Sequence, residues 1–325
     1  MGSSATPTLP PSPEFLAAFR ARADDSGLMT FAQFMELALY HPEVGYYRRT
    51  RARVGYAPGT DFFTASTSGP MFGELVVAAC VNLLRSQNPR DYTFVEIGAE
   101  SAEGILVEVP HPFGATRTIR VGEAIQLTGR CVVFSNELFD AQPCTRLVFR
   151  RDRWWEIGVR EAAGTLVEVE LPSDYTAAGT EDYHFDQPIA ATALAESIAQ
   201  QSWTGLFLAF DYGKSLRELT EATPAGTVRA YHRHTQSNDL LSRPGEQDLT
   251  CHICWTWLAD ALARQGFAST QIDSQEAFFI RHAATFIETT AAAEANRLSQ
   301  RKLALLQLLH PSHLGLKFQV LHALR

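Results

Sequence analysis

The 325-residue sequence has few of the features that commonly announce a function. It has no GxGxxG and no GxxxxGK[ST], so neither standard glycine loop for cradling phosphates is present. It has no Gly-x-Ser-x-Gly, so no nucleophile elbow of a hydrolase is visible. Five cysteines in a chain of this length do not make a disulfide framework, which fits a reducing compartment. Cys251-His252-Ile253-Cys254 has the spacing of a redox or zinc half-site, but no second cysteine pair completes it, and packing within an apolar helix is expected. No run approaches the roughly 18 uninterrupted apolar residues of a membrane span. Basic charge is also short: 28 Lys and Arg against 36 Asp and Glu give −8, which argues against nucleic acid as a partner. Arg48, Arg49, Arg51 and Arg53 form a local exception, read as a solvated loop or as a dock for an acidic partner. The opening Met1-Gly2-Ser3-Ser4-Ala5-Thr6 formally matches a myristoylation signal, yet Pro7, Pro10, Pro11 and Pro13 favour a disordered leader over residues 1–13. A soluble, cytoplasmic protein with no membrane partner is expected.

What the chain does have is a series of short apolar runs that end on acids or glycine. Asp91-Tyr92-Thr93-Phe94-Val95-Glu96-Ile97-Gly98 suits a strand buried on both faces of a parallel sheet, with glycine letting the backbone turn sharply at its tip. Cys131–Phe134 leads into Ser135-Asn136-Glu137, and Gly205–Phe210 leads into Asp211-Tyr212-Gly213. Arg117–Val121 alternates like a strand and ends at Gly122-Glu123. Helices are expected over Glu14–Arg22, from Phe31 to Tyr40 behind a Thr30/Gln33 capping box, and over Met71–Ser86, Pro188–Gln201, Thr250–Gln265 and Ala291–Leu309. Between Arg146 and Leu171 the pattern changes to an antiparallel meander. Alternating strands and helices with one β insertion indicate an α/β fold with a mostly parallel sheet. Residues 14–90 form an N-terminal helical and loop region, and 91–325 form the main domain with the insertion at about 144–185. The leucines of the last helix, Leu303, Leu305, Leu306, Leu308 and Leu309, exceed one packing face, so burial within the chain and a homodimer contact both stand open.

Strand ends of a parallel sheet lie along one edge, where ligands of open α/β sheets bind. That edge would gather Glu96, Glu123, Glu137, Asp140 and Asp211. Glu123 follows Gly98 by 25 residues, near the spacing at which dinucleotide folds place the acid that holds ribose hydroxyls. So many carboxylates suit a cationic ligand. Each taken singly is more often a cap or a solvated charge, and their joint occurrence at strand ends reverses that preference. No histidine stands among these motifs, so no metal is expected there.

The ordered motifs carry a resemblance. Phe34-Met35-Glu36-Leu37-Ala38-Leu39-Tyr40-His41-Pro42 with Gly45-Tyr46-Tyr47, Asp61-Phe62-Phe63-Thr64-Ala65, Phe72-Gly73-Glu74-Leu75, Ser135 to Pro143, Phe210 to Gly213, Tyr231 to His234, Pro244 to Thr250, and His310-Pro311 with Lys317 to Leu321 resemble the MidA-like methyltransferase family. The resemblance runs from about residue 30 to 322. It implies a Rossmann-like fold, S-adenosylmethionine (SAM) as cofactor and a protein or peptide substrate methylated on arginine. Carried over by position, Glu137, Asp140 and Asp211 would serve catalysis. Asp61, Phe63, Thr64, Glu96, Gly98, Glu123 and Asn136 would serve the cofactor, the first three from a covering loop. His232 and His234 would lie on the substrate side or be structural. The family's first loop reads Glu-Leu-Gly-Pro-Gly-Arg-Gly, whereas this chain has Glu96-Ile97-Gly98-Ala99-Glu100-Ser101-Ala102. The segment from Gly98 to Asn136 is also short for the family, as if a strand–helix unit were lost. A catalytically inactive relative that binds a protein partner is the alternative these departures motivate.

Overall fold

Glycine and proline punctuate the chain into elements that assemble as two compact units. The structure, a computed structural model, describes residues 9–48, 69–99, 101–296 and 299–325. Asp61, Phe63 and Thr64, expected on a covering loop, lie outside the described residues. One unit combines the described residues up to 48 with Asp140–Ala191 and Lys214–Cys254. The other combines 69–139 with Thr192–Gly213 and Trp255–Arg325. This division differs from a boundary at residue 90: the helices Pro13–Arg22 and Phe31–Tyr40 share a core with the β insertion, and Pro70–Leu84 belongs to the second unit.

In the first unit, Thr30 caps the Phe31–Tyr40 helix as expected, with Gln33 returning a bond to the Thr30 N–H. The helix carries Phe31, Phe34, Met35, Ala38 and Leu39 into a core shared with Val148, Ile157, Val159 and Leu249. The meander forms from Thr145–Arg150, Arg153–Ala162 and Thr165–Pro172, whose β-branched and aromatic residues alternate across the sheet. His184–Gln187 and Leu28–Thr30 extend it to five strands. A buried ion pair, Arg146 Nη1 to Asp186 Oδ1 at 2.8 Å, ties the sheet to the backbone N–H of Val228, which donates to Asp186 Oδ2 at 3.0 Å. A second sheet pairs Arg229–His232 with Thr235–Ser237 and Asp248–Thr250.

The second unit is an α/β sheet of six strands, ordered Ala268–Ser274, Gln319–Leu324, Trp203–Asp211, Gly129–Asn136, Thr93–Ile97 and Ala115–Ile119. The last four run parallel. Gln319–Leu324 enters antiparallel beside Trp203–Asp211, and Ala268–Ser274 pairs antiparallel at the edge. The sheet is therefore mixed, parallel over those four strands and antiparallel at the other edge. Sequence periodicity does not report strand direction, and the C-terminal strand reads the same either way. Phe72 of the Pro70–Leu84 helix packs on Phe134 and Phe210 of the sheet and on Phe279 of Gln275–His282. Among the described residues no α-helix joins Thr93–Ile97 to Ala115–Ile119, or Ala115–Ile119 to Gly129–Asn136. The compressed segment seen in the sequence thus reaches the parallel strands through turns.

Two further expectations fail at breaks in the chain. The single helix expected over 291–309 is two, Ala284–Ala293 and Gln300–Leu309, with Ser299 capping the second through Lys302 N. In that second helix Leu305 and Leu308 are buried, while Leu303 and Leu306 are exposed. The helix expected from Thr250 begins only at Trp255, because Asp248–Thr250 and Ile253–Cys254 are taken into strands. Cys251 and Cys254 are buried and unbridged, as core packing predicts. No described helix is long and apolar enough to cross a membrane.

Candidate functional site

Parallel register brings the strand tips of the second unit into line. Ile97 pairs with Ser135 and with Ile119, and Asn136 pairs with Phe210. Gly98, Asn136, Glu137 and Asp211 therefore fall within a residue or two of one line across the sheet. Gly98 has φ +82°, and a Cβ there would meet Leu138 Cδ1 at 2.9 Å. A Cβ would have to displace the end of the Leu138 side chain, and the positive φ also favours glycine at that tip. Its N–H donates to Ile119 O at 2.8 Å, which locks the turn to the neighbouring strand. Glu137 also adopts a left-handed backbone, φ +53°, uncommon for a non-glycine residue. Its N–H donates to Phe210 O at 2.9 Å, which fixes the turn where the chain leaves the sheet.

Asn136 donates from Nδ2 to Glu137 Oε1 at 3.0 Å. Its Oδ1 is buried and has no hydrogen-bond partner among the described residues. A buried acceptor left unpaired costs about 1–3 kcal/mol, so an orphan at a strand tip marks a place for a donor from a ligand. Asp211 is fully buried. Its Oδ2 accepts from Phe139 N and its Oδ1 from Tyr212 N, each at 2.9 Å. The carboxylate thus pins the loop after Asn136-Glu137 to the end of its own strand.

Glu96 is buried, and its Oε2 accepts from Ile105 N at 2.7 Å. Burial pushes its carboxyl up to about 7, with the Ile105 N–H pulling in the opposite direction. Ser101 Oγ accepts from Gly104 N and so helps shape the turn that covers Glu96. A side chain at Gly104 would strike Glu96 Oε2 at 2.4 Å. Glycines lost from the first loop are in effect replaced by one further along. Glu123 lies four residues beyond Ile119, the last residue of the strand beside Thr93–Ile97. It is exposed, and its Oε2 accepts from Arg120 N at 2.9 Å.

Asp140 belongs to the first unit. Its carboxylate influences the hydroxyls of Tyr40 and Tyr47, both raised mainly by burial and then by Asp248. The Tyr40 and Tyr47 rings stack with centroids 5.4 Å apart. Tyr47 OH donates to Asp248 Oδ1 at 3.0 Å, and Tyr40 OH donates to Ala141 O at 2.9 Å. Three motifs far apart in sequence meet here. Tyr40, Tyr47 and Asp248 were missed as a group, although the motifs holding them were visible. His232 is fixed locally, between Glu246 O and Arg243 Nη1 at 3.1 and 3.3 Å, and His234 lies exposed in the adjoining turn.

A family described as "Putative S-adenosyl-L-methionine-dependent methyltransferase" matches residues 118–272. A "likely methyl transferase" from Burkholderia thailandensis, solved with S-adenosyl-homocysteine (SAH) bound, superposes with a TM-score of 0.83 at 22% identity. The fold is that of a SAM-dependent methyltransferase. The alignment covers 98% of this chain and 95% of the other. An uncharacterized protein of the same superfamily and organism gives 0.80 at 21% identity, with the same coverage. No curated protein matches the sequence. The family match and the fold together support a SAM-dependent methyltransferase with SAM as its cofactor.

Proposed function

We propose that the protein transfers the SAM methyl group to a side chain of a protein or peptide, most specifically to an arginine guanidinium. The observation that supports this most directly is the rim of the second unit. There an orphaned Asn136 Oδ1, the Glu137 carboxylate and the glycine tip at Gly98 line up along parallel strand ends. Glu96 and Asn136 would face the cationic amino-acid end of SAM. Gly98 would let the backbone approach it closely, and Glu123 would take the ribose hydroxyls. Glu137 would orient the guanidinium, whose planar fork of donors matches a carboxylate. Asp211 would hold Glu137 in place. The motifs shared with MidA-like methyltransferases favour arginine over other acceptors.

SAM would supply the methyl carbon, which a guanidinium nitrogen oriented by Glu137 would take as the carbon–sulfur bond breaks and SAH leaves. The nitrogen's proton passes to a carboxylate. An always-protonated guanidinium is a poor nucleophile, so alignment at near-attack distance supplies much of the rate. Calorimetry with SAH is the first test, and absence of binding at millimolar ligand would leave only a non-catalytic partner-binding role. Where binding is seen, Glu123→Ala should weaken it by about 1–3 kcal/mol, the scale of a hydrogen bond to a charged group. An unchanged affinity removes Glu123 from the ribose site. Radiolabelled SAM incubated with arginine-rich proteins should yield methylarginine on hydrolysis. Label confined to other side chains would refute the choice of acceptor.

A further inference from the structure

Asp273, His282 and His322 form a cluster apart from the strand tips. His322 lies on the Gln319–Leu324 strand opposite Leu208, three residues before Asp211, or about 10 Å down the sheet from the rim at 3.3 Å per residue. Asp273 lies on the neighbouring edge strand, opposite Val320, so its side chain projects from the same face as that of His322. His282 ends the Gln275–His282 helix, which packs on that face. The three side chains each bring one ligand atom to within 4.8 Å of the others. His322 Nε2 stands 3.5 Å from Asp273 Oδ2, too long for a hydrogen bond. Tetrahedral ligand atoms bonded to zinc at about 2.0–2.2 Å sit roughly 3.3–3.6 Å apart, so this pair already has metal-site spacing.

Two further observations set this cluster apart from ordinary ring packing. Among the described residues both histidines leave Nε2 buried with no hydrogen-bond partner, and His322 is only 6% exposed. Moreover, His282 Nδ1 lies 3.3 Å from Asn82 Oδ1, an acceptor. Donation to Asn82 places the proton on Nδ1 and leaves a lone pair on the buried Nε2. This is the outer-shell device by which proteins orient metal-binding imidazoles. Asp273 is supported similarly, since Arg281 Nη1 donates to both of its oxygens at 2.7 Å. A carboxylate has about four acceptor sites, which leaves room for a cation beside the guanidinium.

We propose that His282 Nε2, His322 Nε2 and an Asp273 carboxylate oxygen bind a divalent first-row transition cation, with zinc as the committed choice. Two imidazoles and one carboxylate are a borderline donor set that disfavours Mg2+ and Ca2+. The cation would clamp the end of the helix and both antiparallel strands, and its remaining position would hold water. The site is independent of methyl transfer and does not rest on that reading.

The test uses the full chain, stripped with chelator and gel-filtered, then titrated with Zn2+ against a chromophoric competitor. One equivalent should bind. Asn82→Ala, at an exposed position, should weaken binding about 10–100-fold, the usual effect of losing an outer-shell partner. His282→Gln should weaken it at least as much, while SAH affinity stays unchanged. Co2+ should give ligand-field bands of nitrogen and oxygen donors without thiolate charge transfer. Failure to bind one equivalent, a His282→Gln affinity equal to wild type, or a thiolate band would each overturn the proposal.

Discussion

Asp211→Ala should lower methyl transfer by about 10²-fold or more. The reason is positional: the carboxylate contacts the backbone that aims Glu137, and displacing a reacting group by an ångström can cost about that factor. Deleting it leaves Phe139 N without its acceptor in a buried place and frees Tyr212 N as well. The stability cost is about 1–3 kcal/mol for the Phe139 N–H, with less from the partly exposed Tyr212. Asp211→Asn keeps one acceptor oxygen and should fall between the two proteins in both measures. Urea unfolding read beside initial rates separates the effects. An alanine variant with rates within a few-fold of wild type, whatever its stability, would show that the loop does not depend on Asp211.

Glu96→Gln should make the protein more stable above pH 7, by about 3 kcal/mol. The folded carboxyl titrates at about 7 and its unfolded counterpart near 4.5. Between those values the folded state holds the extra proton, so wild-type stability falls as pH rises from about 4.5 to about 7, then levels off. Each pH unit of that gap is worth about 1.4 kcal/mol. Glutamine is neutral at every pH and still offers Ile105 N an acceptor, so the variant should show no such slope. Thermal melts at pH 5 and pH 8 supply the comparison, and parallel pH dependence in both proteins would refute the buried titration. A cation arriving beside Glu96 favours the ionised form. If SAM does so, its affinity in the wild type should rise through neutral pH and in the variant should not.

Much of this was legible because local chemistry and tertiary placement agree. Thr30 and Gln33 announce a helix start that needs no distant partner. Phe94, Val95 and Ile97 before Gly98 read as a buried strand because both faces are covered. The strand that precedes Glu123 is Ala115–Ile119, two residues earlier than the Arg117–Val121 the sequence suggests, since its exposed half lacks an apolar period. The edge strand Ala268–Ser274 was not foreseen, for its side chains are mostly polar and its existence depends on pairing with Gln319–Leu324. Acids were recognised by their place after apolar runs, but their partners were not. Nothing near Glu96 in sequence shows that Ile105 would bond it, and nothing near Asp211 points back 72 residues to Phe139. The Asp273, His282 and His322 cluster was invisible for the same reason, as it needs an edge strand and a helix end that periodicity did not reveal.

Each unit is stitched from three separate stretches of chain. No single cut yields either one whole, and a fragment such as 140–325 would carry incomplete portions of both cores. Limited proteolysis should therefore release no stably folded piece, and engineering by domain excision would need circular rejoining rather than truncation. During synthesis, the strand bearing Asp211 must wait more than a hundred residues for its antiparallel neighbour, Gln319–Leu324. Until then its hydrogen-bonding edge is open, an interval in which a nascent chain is exposed to mispairing and in which a chaperone would have most to protect.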